Sequence, residues 1–535
     1  MKLFQQMLVA PAALGLVAPM AANAADLNID GVSNYSAASE QVTSASQFSD
    51  VHPSDWTYQA ISSLAERYGC LKGSTAHGNK AITRFEAASM LNTCLDRVSE
   101  MTDDVRRLVD EFGSELAVIQ GGVDGLEARV GEFEAASFST TTKLSGTASF
   151  VLGANSFEGD AYEAASANPR HAKLGETDGG LTFSYDYKLA LDTSFTGEDL
   201  LKTMIRSGNM NNPQGGSGSV GLSGMEIGYD SSNALNVERL YYQFPYGDDV
   251  TVTVGPRVRQ DDMLAVWPSL YPSDTVLDFF TYAGAPGAYN LAKGGGAGVT
   301  YGTGNWDISA NYVSSNAENA NTSTGGGILN EAANNNFTSQ IAYSQDNWGA
   351  AFAYTYISSD EGAGLAATNG TPLANTLMDI GVTNSYALSS WWAPSDVGLV
   401  PSFSAGWGVN QTEDEDDSNA SYDSATTQSW SVGMEWEDAF AEGNILGMAF
   451  GQPNFVTSYD NDPDSSSVIE TPKDGNYAWE WWYKIQVSDN ITVTPAIYYL
   501  SRPFGHDTDT RGPDANSREN RLSNLGALVK TTFKF

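Results

Sequence analysis

The last twelve residues of the chain restrict its fold more than any other stretch. From Asn524 to Phe535 apolar and polar side chains alternate, and the segment ends on an aromatic residue that is also the C-terminus. Because successive side chains of a β-strand point to opposite faces, one face of this strand is apolar and the other is polar. The apolar face consists of Leu525, Ala527, Val529, Thr531, Phe533 and Phe535. This pattern is typical of a transmembrane β-barrel strand, and the alternative is an edge strand of a soluble β-sandwich.

Length and charge narrow the class of protein. The chain has 535 residues, which exceeds the usual size of one domain, so two or more units are expected. Its formal net charge is −38, and this argues against nucleic-acid binding, because a phosphate-binding face needs clustered lysine and arginine. The chain contains 53 glycines and only 17% charged residues, a composition that favours many short strands joined by polar loops.

Residues 1–24 have the features of a secretory signal peptide. Lys2 precedes an apolar stretch, and Ala22-Asn23-Ala24 forms a small-x-small cleavage site. The apolar stretch is too short to cross a bilayer comfortably, and no later stretch supplies about 20 continuous apolar residues. A membrane location therefore requires a closed barrel, which leaves no unpaired strand edge in lipid. Residues 25–47 are rich in serine and alanine and are predicted to form a linker.

Residues 48–99 are predicted to form a small α-helical module. One amphipathic helix is expected from Thr57 to Tyr68, and a second begins near Thr83. Thr83 and Glu86 have the spacing of a capping box, in which each side chain accepts a hydrogen bond from the other residue's backbone N–H.

The module also contains the two cysteines of the chain, Cys70 and Cys94. An oxidising compartment outside the cytoplasm would let them pair in a disulfide. Two free buried thiols are the alternative.

Two stretches of this module resemble the S-layer homology family. They are Phe48-Ser49-Asp50-Val51 with Asp55-Trp56, and Ile82-Thr83-Arg84-Phe85-Glu86-Ala87-Ala88. The resemblance implies binding to cell-wall polysaccharide attached to peptidoglycan, although such modules often occur in several copies and this chain has a single one. Arg84 is the candidate sugar ligand, with Asp55 and Trp56 nearby, because its fork of donors lies beside the positive end of a helix dipole. A purely structural module is the alternative.

A heptad pattern follows the module. Between residues 100 and 136 apolar side chains recur at heptad spacing, which predicts a coiled-coil stalk. The seams comprise Val105, Phe112, Ile119, Leu126 and Phe133, and Met101, Leu108, Leu116, Val123 and Val130. Several glycines weaken an isolated helix by about 1 kcal/mol each, and self-association would compensate. We therefore expect a homotrimer, in which weak wall-binding modules act together. A helix packed on its own domain is the alternative.

Residues 137–535 lack the helical period and are predicted to form about 16 strands. The strands are expected near 143–153, 178–186, 188–196, 235–244, 250–258, 294–302, 305–313, 336–345, 347–357, 379–391, 397–409, 426–437, 443–452, 475–487, 491–501 and 523–535. Short turns such as 303–304 alternate with long polar stretches such as 314–335. An even strand number and this alternation predict a mainly β fold, a transmembrane antiparallel β-barrel with the N-terminal module in the periplasm.

The connection between the fifth and sixth predicted strands differs from the others. It runs from Gln260 to Asn290 and is rich in leucine, tryptophan and phenylalanine, so we expect it to fold into the lumen. By the period of two, Arg257 and Arg259 face the lumen and line a constriction opposite carboxylates of this connection. The candidate carboxylates are Asp261, Asp262 and Asp278. A structural salt bridge that holds the connection is the alternative.

Parts of this chain resemble cyanobacterial outer-membrane porins, which are labelled iron-uptake porins or OprB-like carbohydrate-selective porins. The resemblance lies in Gly255-Pro256-Arg257-Val258-Arg259-Gln260-Asp261-Asp262-Met263-Leu264 with Trp267-Pro268, and in Leu126-Glu127-Ala128-Arg129-Val130 with Phe138-Ser139-Thr140-Thr141-Thr142-Lys143-Leu144. It implies passive diffusion of small hydrophilic solutes across the outer membrane. We expect chiefly inorganic ions, with iron as a candidate. The alternatives are a carbohydrate-selective pore, and a structural anchor between outer-membrane lipid and peptidoglycan-linked polysaccharide.

Other motifs do not point to an enzyme. Gly216-Ser217-Gly218-Ser219-Val220-Gly221 spells a dinucleotide-binding pattern, but it follows no predicted strand and opens no helix. The spacing of Asp460, Asp462 and Asp464 is that of a calcium loop, yet Ser465 and Thr471 replace the glycine and glutamate that such a loop needs. The four histidines show no metal spacing. We therefore predict a non-enzymatic protein without cofactor or metal.

Overall fold

The chain divides into two compact units, Met1–Ser137 and Phe138–Phe535. The computed structural model describes residues 50–70, 80–95, 97–98, 101–119, 141–159, 178–211, 220–272, 274–330, 333–358, 369–378, 381–413, 423–460, 472–510 and 520–535. No helix in these ranges has the length and hydropathy of a membrane span.

The first unit contains the helices α1 (Trp56–Tyr68), α2 (Arg84–Leu95) and α3 (Asp103–Glu111). An antiparallel bridge between Val51 and Ile82 joins the segments that precede α1 and α2. The capping box predicted at the start of α2 is confirmed. The backbone N–H of Thr83 donates to Glu86 Oε2 over 2.9 Å, and the backbone N–H of Glu86 donates to Thr83 Oγ1 over 3.2 Å.

A disulfide joins the first two helices. Cys70 follows the C-cap glycine of α1 and Cys94 lies in the last turn of α2, with their Cα atoms 5.0 Å apart. Both side chains are buried in the core of the module. In the chain-entropy description, a cross-link that closes a loop of this length stabilises the fold by about 3 kcal/mol. The structure therefore contains the pair rather than two free thiols.

Helix α3 packs in the core of the module and differs in this from the predicted stalk. Val105, Leu108 and Phe112 belong to the predicted seams, but they are at most 1% exposed and lie in the core that α1 and α2 form. Leu116 and Ile119 pack against the same core. The prediction of a free stalk is therefore wrong for residues 105–119, because their seam residues already pack in the core of the module. The remaining stalk residues, 120–136, lie outside the described ranges.

The second unit is a closed antiparallel barrel in which neighbours in sequence are neighbours in the sheet, and β1 closes on β16. The strands are β1 (Thr142–Glu158), β2 (Thr182–Thr193), β3 (Leu200–Gly208), β4 (Asn236–Tyr246), β5 (Val250–Arg259), β6 (Lys293–Thr303), β7 (Trp306–Ser314), β8 (Asn335–Gln345), β9 (Trp348–Ser358), β10 (Val382–Trp392), β11 (Ser402–Glu413), β12 (Ser424–Glu437), β13 (Ile445–Asp460), β14 (Tyr477–Ser488), β15 (Ile491–Ser501) and β16 (Ser523–Lys534). Two short helices lie in connections, α4 (Pro372–Met378) and α5 (Asp507–Thr510). The predicted strand number and barrel closure are confirmed.

The second and third strands differ from the prediction. The sequence predicts strands near 178–186 and 188–196, whereas β2 runs without interruption through 187 and β3 begins only at Leu200. The polar residues Asp186 and Lys188 interrupt the apolar pattern, but within β2 Asp186 accepts a hydrogen bond from Arg206 Nε on β3 over 2.6 Å. These polar residues therefore belong to a lumen-facing strand face and do not form a turn. The true turn contains Asp199, whose carboxylate accepts hydrogen bonds from nearby backbone N–H groups.

The two faces of the barrel follow the alternation predicted from the C-terminal strand. In β16 the side chains of Asn524, Leu528 and Lys530 are at most 5% exposed, whereas Leu525 is 38% exposed on the opposite face. Phe183 on β2 is 70% exposed on the outer surface. The barrel thus presents apolar side chains outward and encloses a largely polar interior, as a transmembrane barrel requires.

The connections at the two ends of the barrel differ in length, as predicted. One end carries short turns such as 247–249, 304–305, 346–347 and 489–490, and we call it the short-turn end. The opposite, long-loop end carries connections such as 209–235 and 260–292. The start of β1 and the C-terminal end of β16 both lie at the short-turn end.

Candidate functional site

The connection between β5 and β6 folds into the lumen, as the sequence predicts. We call residues 260–292 the inward connection. The backbone N–H of Tyr271 donates to Ser404 Oγ on β11 over 3.1 Å, so the connection reaches across the barrel. Leu277 and Phe279 are at most 1% exposed. The apolar side chains of this segment therefore pack inside the barrel, where they avoid the cost of exposure to water.

One buried carboxylate of the wall holds the middle of the inward connection. Glu480 on β14 is 0% exposed and accepts hydrogen bonds from the Tyr271 hydroxyl and from the backbone N–H of Leu277, the latter over 2.7 Å. Thr275 Oγ1 donates to the same carboxylate over 3.4 Å. The Tyr271 hydroxyl in turn accepts a hydrogen bond from Trp482 Nε1 over 2.9 Å. A buried carboxylate is costly without such partners, so this network ties the connection to β14.

Asp274 provides a second attachment to the same side of the barrel. It pairs with Lys530 of β16 and accepts a hydrogen bond from Thr494 Oγ1 of β15 over 2.9 Å. Lys530 Nζ also donates to the backbone carbonyl of Thr275 over 2.9 Å. Lys530 is 4% exposed, so this ion pair is shielded from solvent.

Residues 283–288 of the inward connection lie against the wall formed by β9 to β12. The segment reads Ala-Gly-Ala-Pro-Gly-Ala, and its backbone carbonyls accept hydrogen bonds from wall hydroxyls. The donors are Ser389 to Ala283 over 3.1 Å, Ser429 to Gly284 over 3.0 Å and Thr355 to Ala288 over 2.7 Å. The small side chains allow this close approach.

Glycines of the wall also allow this close contact. A Cβ atom built on Gly406 of β11 would lie 1.7 Å from the carbonyl oxygen of Ala283, and one on Gly408 would lie 2.9 Å from Ala285. Glycine at these strand positions lets another backbone come close. The inward connection therefore closes the lumen along this wall.

A second connection, which was not expected from the sequence, also enters the lumen. It joins β3 to β4 and is described at 209–211 and 220–235. Met225 forms an antiparallel bridge with Leu277, and the backbone N–H of Glu226 donates to the carbonyl of Val276 over 3.2 Å. The bridge carries the Glu226 side chain to the inward connection.

A cavity of about 410 Å³ remains beside these two connections. It is lined by Glu226, Arg259, Asp261, Trp267, Pro272, Asp274, Thr275, Asp278, Thr281 and Leu291. Among the residues that the structure describes, the lining holds four carboxylates and one guanidinium. Its volume falls in the range of about 300 to 1,000 Å³ typical of small-molecule sites. The lining is thus acidic and has room for a small solute.

Three of the lining carboxylates lie close to a cation. The pairs are Asp261 with Arg259, Asp274 with Lys530, and Glu226 with Lys188, whose Nζ lies 4.0 Å from Glu226 Oε1. Nearby opposite charges favour the ionised form of a carboxyl group. Burial raises the pKa values of Asp261 and Glu226, but the nearby cations outweigh it and hold both pKa values below their usual range.

Asp278 has no ion pair in the described part of the chain. Its Oδ2 accepts hydrogen bonds from the Tyr282 hydroxyl over 3.0 Å and from Asn369 Nδ2 over 2.9 Å. Burial raises the pKa of Asp278 to about 6, although these two hydrogen bonds oppose the shift, and the negative charge of Glu226 adds to it. Asp278 therefore changes its charge just below neutral pH.

Comparison with known protein families gives a match over most of the chain. The family described as "Carbohydrate-selective porin, OprB family" matches residues 103–535. This chain belongs to the OprB family of porins. An uncharacterized protein of Nostoc sp. is 32% identical to this porin over 95% of the chain and 88% of its own length. An uncharacterized protein of Synechocystis sp. is 28% identical over 94% of the chain and 93% of its own length.

Solved structures with a similar fold include OprB of Pseudomonas putida and an anion-selective porin from Comamonas acidovorans. The first is 14% identical, with a TM-score of 0.47, covering 74% of this chain and 94% of that chain. The second is 11% identical, with a TM-score of 0.43, covering 74% of this chain and 99% of that chain. Membership of the family makes this protein an outer-membrane channel and not an enzyme.

The structure brings the predicted constriction residues of this porin together only in part. Arg259, Asp261 and Asp278 line the cavity. Asp262 does not, because its Oδ2 accepts hydrogen bonds from Arg239 Nε over 2.6 Å and from the backbone N–H of Arg259 over 2.9 Å. Arg259 and Asp261 are neighbours on one side rather than opposed groups. The pair of Arg239 with Asp262, rather than that of Arg259 with Asp261, ties the start of the connection to β4.

Arg257 does not line the cavity among the described residues. Its Nε is buried without a hydrogen-bond partner among the residues that the structure describes, and the pairing of β5 with β6 shifts register between Gly255 and Val258. A bulge of this kind breaks the alternation of faces. The period of two that predicts a common lumen face for Arg257 and Arg259 therefore does not hold here.

Glu226 and Asp274 line the cavity although the sequence analysis did not name them. Asp274 lies in the inward connection, between the carboxylates that were named. Glu226 follows the apolar residues Val220, Leu222 and Met225, all at most 4% exposed. The inward connection was recognised by its apolar residues in a long polar loop. The same signal is present in this second connection.

In the N-terminal module of this porin, Arg84 is engaged within the module. Its Nε donates to Glu115 Oε1 over 2.7 Å, its Nη1 to Glu111 Oε1 over 3.0 Å and its Nη2 to the Glu111 carbonyl over 2.8 Å. All three nitrogens thus hold the last residue of α3 and the chain that follows it. The Arg84 side chain therefore has acceptors inside the module, on Glu111 and Glu115, and its role as a sugar ligand stays a prediction.

The other two candidates of the module also have partners inside it. The guanidinium of Arg107 lies 3.9 Å from the centre of the Trp56 ring and covers one face of that ring. The Asp55 carboxylate accepts a hydrogen bond from the backbone N–H of His52 over 2.8 Å. These contacts support the structural alternative for the module.

Replacing Arg84 by alanine is expected to destabilise the docking of α3 by about 2 kcal/mol, because two carboxylates lose a hydrogen-bonded cation. Burial raises the pKa of Glu115, but hydrogen bonds from Arg84 and Ser114 outweigh it and hold the pKa below its usual range. The stabilisation is therefore present above the ordinary glutamate pKa and is lost as pH falls through the lowered value. Faster amide hydrogen exchange in residues 103–116 of the full chain would report it.

The matched control is Arg67→Ala, which removes an exposed arginine from the last turn of α1. It should leave the exchange of residues 103–116 unchanged. Equal exchange in the Arg84 variant and the parent protein would contradict the structural role of Arg84.

Proposed function

We propose that this porin passes small neutral and cationic hydrophilic solutes by passive diffusion, with sugars as its main substrates. The observation that carries the proposal is the acidic cavity beside the inward connection. Carboxylates can accept hydrogen bonds from sugar hydroxyls, and Trp267 contributes an aromatic surface to the same lining. Membership of the OprB family supports the carbohydrate alternative of the sequence analysis more than ion or iron passage.

Liposome swelling with a matched pair of solutes tests this proposal. Glucose and gluconate are similar in size, but gluconate carries a negative charge, which the acidic lining disfavours. We expect proteoliposomes to swell in glucose clearly faster than in gluconate. Equal rates would contradict selection by the acidic lining. Large salt conductance without glucose entry would instead support the interpretation as an ion pore.

The pH dependence of ion selectivity tests the role of Asp278. Its pKa of about 6 makes it ionised at pH 7 and largely protonated at pH 5. One negative charge of the lining is lost on acidification, so cation preference, measured as the reversal potential in a KCl gradient, should fall between pH 7 and pH 5. In the Asp278→Asn variant the cation preference should already be low at pH 7, and it should not fall further between pH 7 and pH 5. A step of the same size in the variant would contradict the assignment.

Wall tethering by the N-terminal module and assembly into homotrimers stay predictions. The periplasmic location of the module also stays a prediction. Binding of the full chain to isolated peptidoglycan-linked polysaccharide tests tethering, and mass measurement in gentle detergent tests the trimer. The two experiments are independent of solute passage.

A further inference from the structure

One connection at the short-turn end of the barrel is unusually long and apolar. Residues 393–401 join β10 to β11, and the other connections at this end are shorter. Val397 is 54% exposed, Leu399 is 96% exposed and Val400 is 53% exposed. A contiguous exposed apolar patch marks a surface that contacts lipid or protein.

A hydrogen bond holds this connection at the outer surface of the barrel. The indole N–H of Trp436 donates to the carbonyl oxygen of Leu399 over 3.0 Å. Trp436 follows Met434 by two residues on β12, so both point to the same face. Met434 is in register with Phe403, and Phe403 is in register with Trp392.

This shared face is the outer one. Trp392 and Phe403 are 37% and 39% exposed, and their ring centres lie 6.2 Å apart. Aromatic side chains with one polar atom are typical of the boundary between hydrocarbon and water in membrane barrels. The connection 393–401 therefore lies beside an aromatic group at the level where this boundary is expected.

The next connection at the short-turn end also exposes an apolar side chain. Phe440, in residues 438–444 between β12 and β13, is 89% exposed, and its ring centre lies 5.8 Å from that of Tyr483. We call Val397, Leu399, Val400 and Phe440 the apolar rim. The exposed acidic residues Asp396, Glu437 and Asp438 flank it. Their charge disfavours an anionic surface and is compatible with zwitterionic headgroups.

We propose that the apolar rim inserts into the boundary between headgroups and acyl chains of the lipid leaflet at the short-turn end. The partner is zwitterionic phospholipid. The rim is continuous with the lipid-facing wall through Trp436, and insertion removes its apolar side chains from water. It thereby fixes the depth of the barrel on the β10 to β13 side.

A spin label on the rim tests this proposal in the full-length protein. The native cysteines form a disulfide, so in Leu399→Cys the new thiol can be labelled selectively with a nitroxide. The protein is reconstituted in phosphatidylcholine vesicles. We expect the label to collide more often with oxygen, which concentrates in the bilayer, than with a water-soluble nickel chelate. A label on Phe440→Cys should also collide more often with oxygen than with the nickel chelate.

Asp248→Cys provides the matched control, because Asp248 is exposed in the short turn between β4 and β5 at the same end. Its label should collide more often with the nickel chelate than with oxygen. Nickel access at position 399 equal to that at 248 would show that the rim lies in water. A label shielded from both reagents would show that protein, either a second copy or another part of the chain, covers the rim. Either result would overturn the proposal.

Discussion

Replacing Glu480 by alanine is expected to increase the single-channel conductance of this porin. The substitution removes the acceptor for the Tyr271 hydroxyl and the Leu277 backbone N–H, so the middle of the inward connection loses its attachment to β14. A buried N–H left without a partner costs about 1 to 3 kcal/mol, which favours displacement of the connection toward water. We expect higher conductance with larger fluctuations in planar bilayers, while the barrel itself remains folded on heat-modifiability gels.

Two further variants sharpen this experiment. Glu480→Gln keeps one acceptor oxygen but turns an amide N–H₂ toward a donor of the connection, so its conductance should lie between those of the parent and Glu480→Ala. Glu437→Ala removes an exposed carboxylate from β12 and should behave as the parent. Unchanged conductance in Glu480→Ala would show that the other attachments, such as the Asp274 and Lys530 pair, hold the connection alone.

Replacing Gly406 by valine is expected to open a second passage along the closed wall. A Cβ atom at this position would lie 1.7 Å from the carbonyl oxygen of Ala283 and would overlap it. Because this oxygen belongs to the backbone, the overlap cannot be relieved by a side-chain rotation, and the backbone must move. Gly406 lies in β11, where a β-branched residue is well tolerated by the strand itself. Residues 283–288 should therefore leave the wall. We expect higher conductance, and gluconate should enter liposomes nearly as fast as glucose.

Gly180→Val is the matched control, because a Cβ atom at Gly180 meets nothing within 4 Å. It should preserve both the conductance and the preference for glucose. If Gly406→Val folds and retains the glucose preference of the parent, the wall beside β11 does not limit the path of solutes.

The pattern of the sequence was sufficient for the architecture because a membrane barrel repeats one constraint. Each strand must present alternate residues to lipid and to the lumen, so the face assignment of Leu525 and Lys530 extends to the whole barrel. The rule does not give the strand boundaries, so the polar residues Asp186 and Lys188 were mistaken for the end of a strand although they lie on the lumen-facing side of β2. The alternation itself breaks in β5, at the register shift near Arg257.

The candidate site was predictable in kind but not in its residues. The apolar composition of 260–292 indicates that this segment enters the barrel, because water is a poor solvent for it. Which carboxylates meet there depends on where two connections touch. Glu226 reaches the cavity only through the bridge between Met225 and Leu277, a contact between residues far apart in sequence.

By itself, the sequence determined the strand number, the two faces of the wall, the inward connection and the capping box of α2. All of these follow from short-range periodicity or from spacing within one segment. Only the tertiary structure decided that Arg84 binds Glu111 and Glu115, that Asp262 binds Arg239, and that the seam of α3 is buried in its own module. The physical reason is that a charged or apolar side chain takes whichever partner the fold brings within reach, and that partner is set by distant segments of the chain.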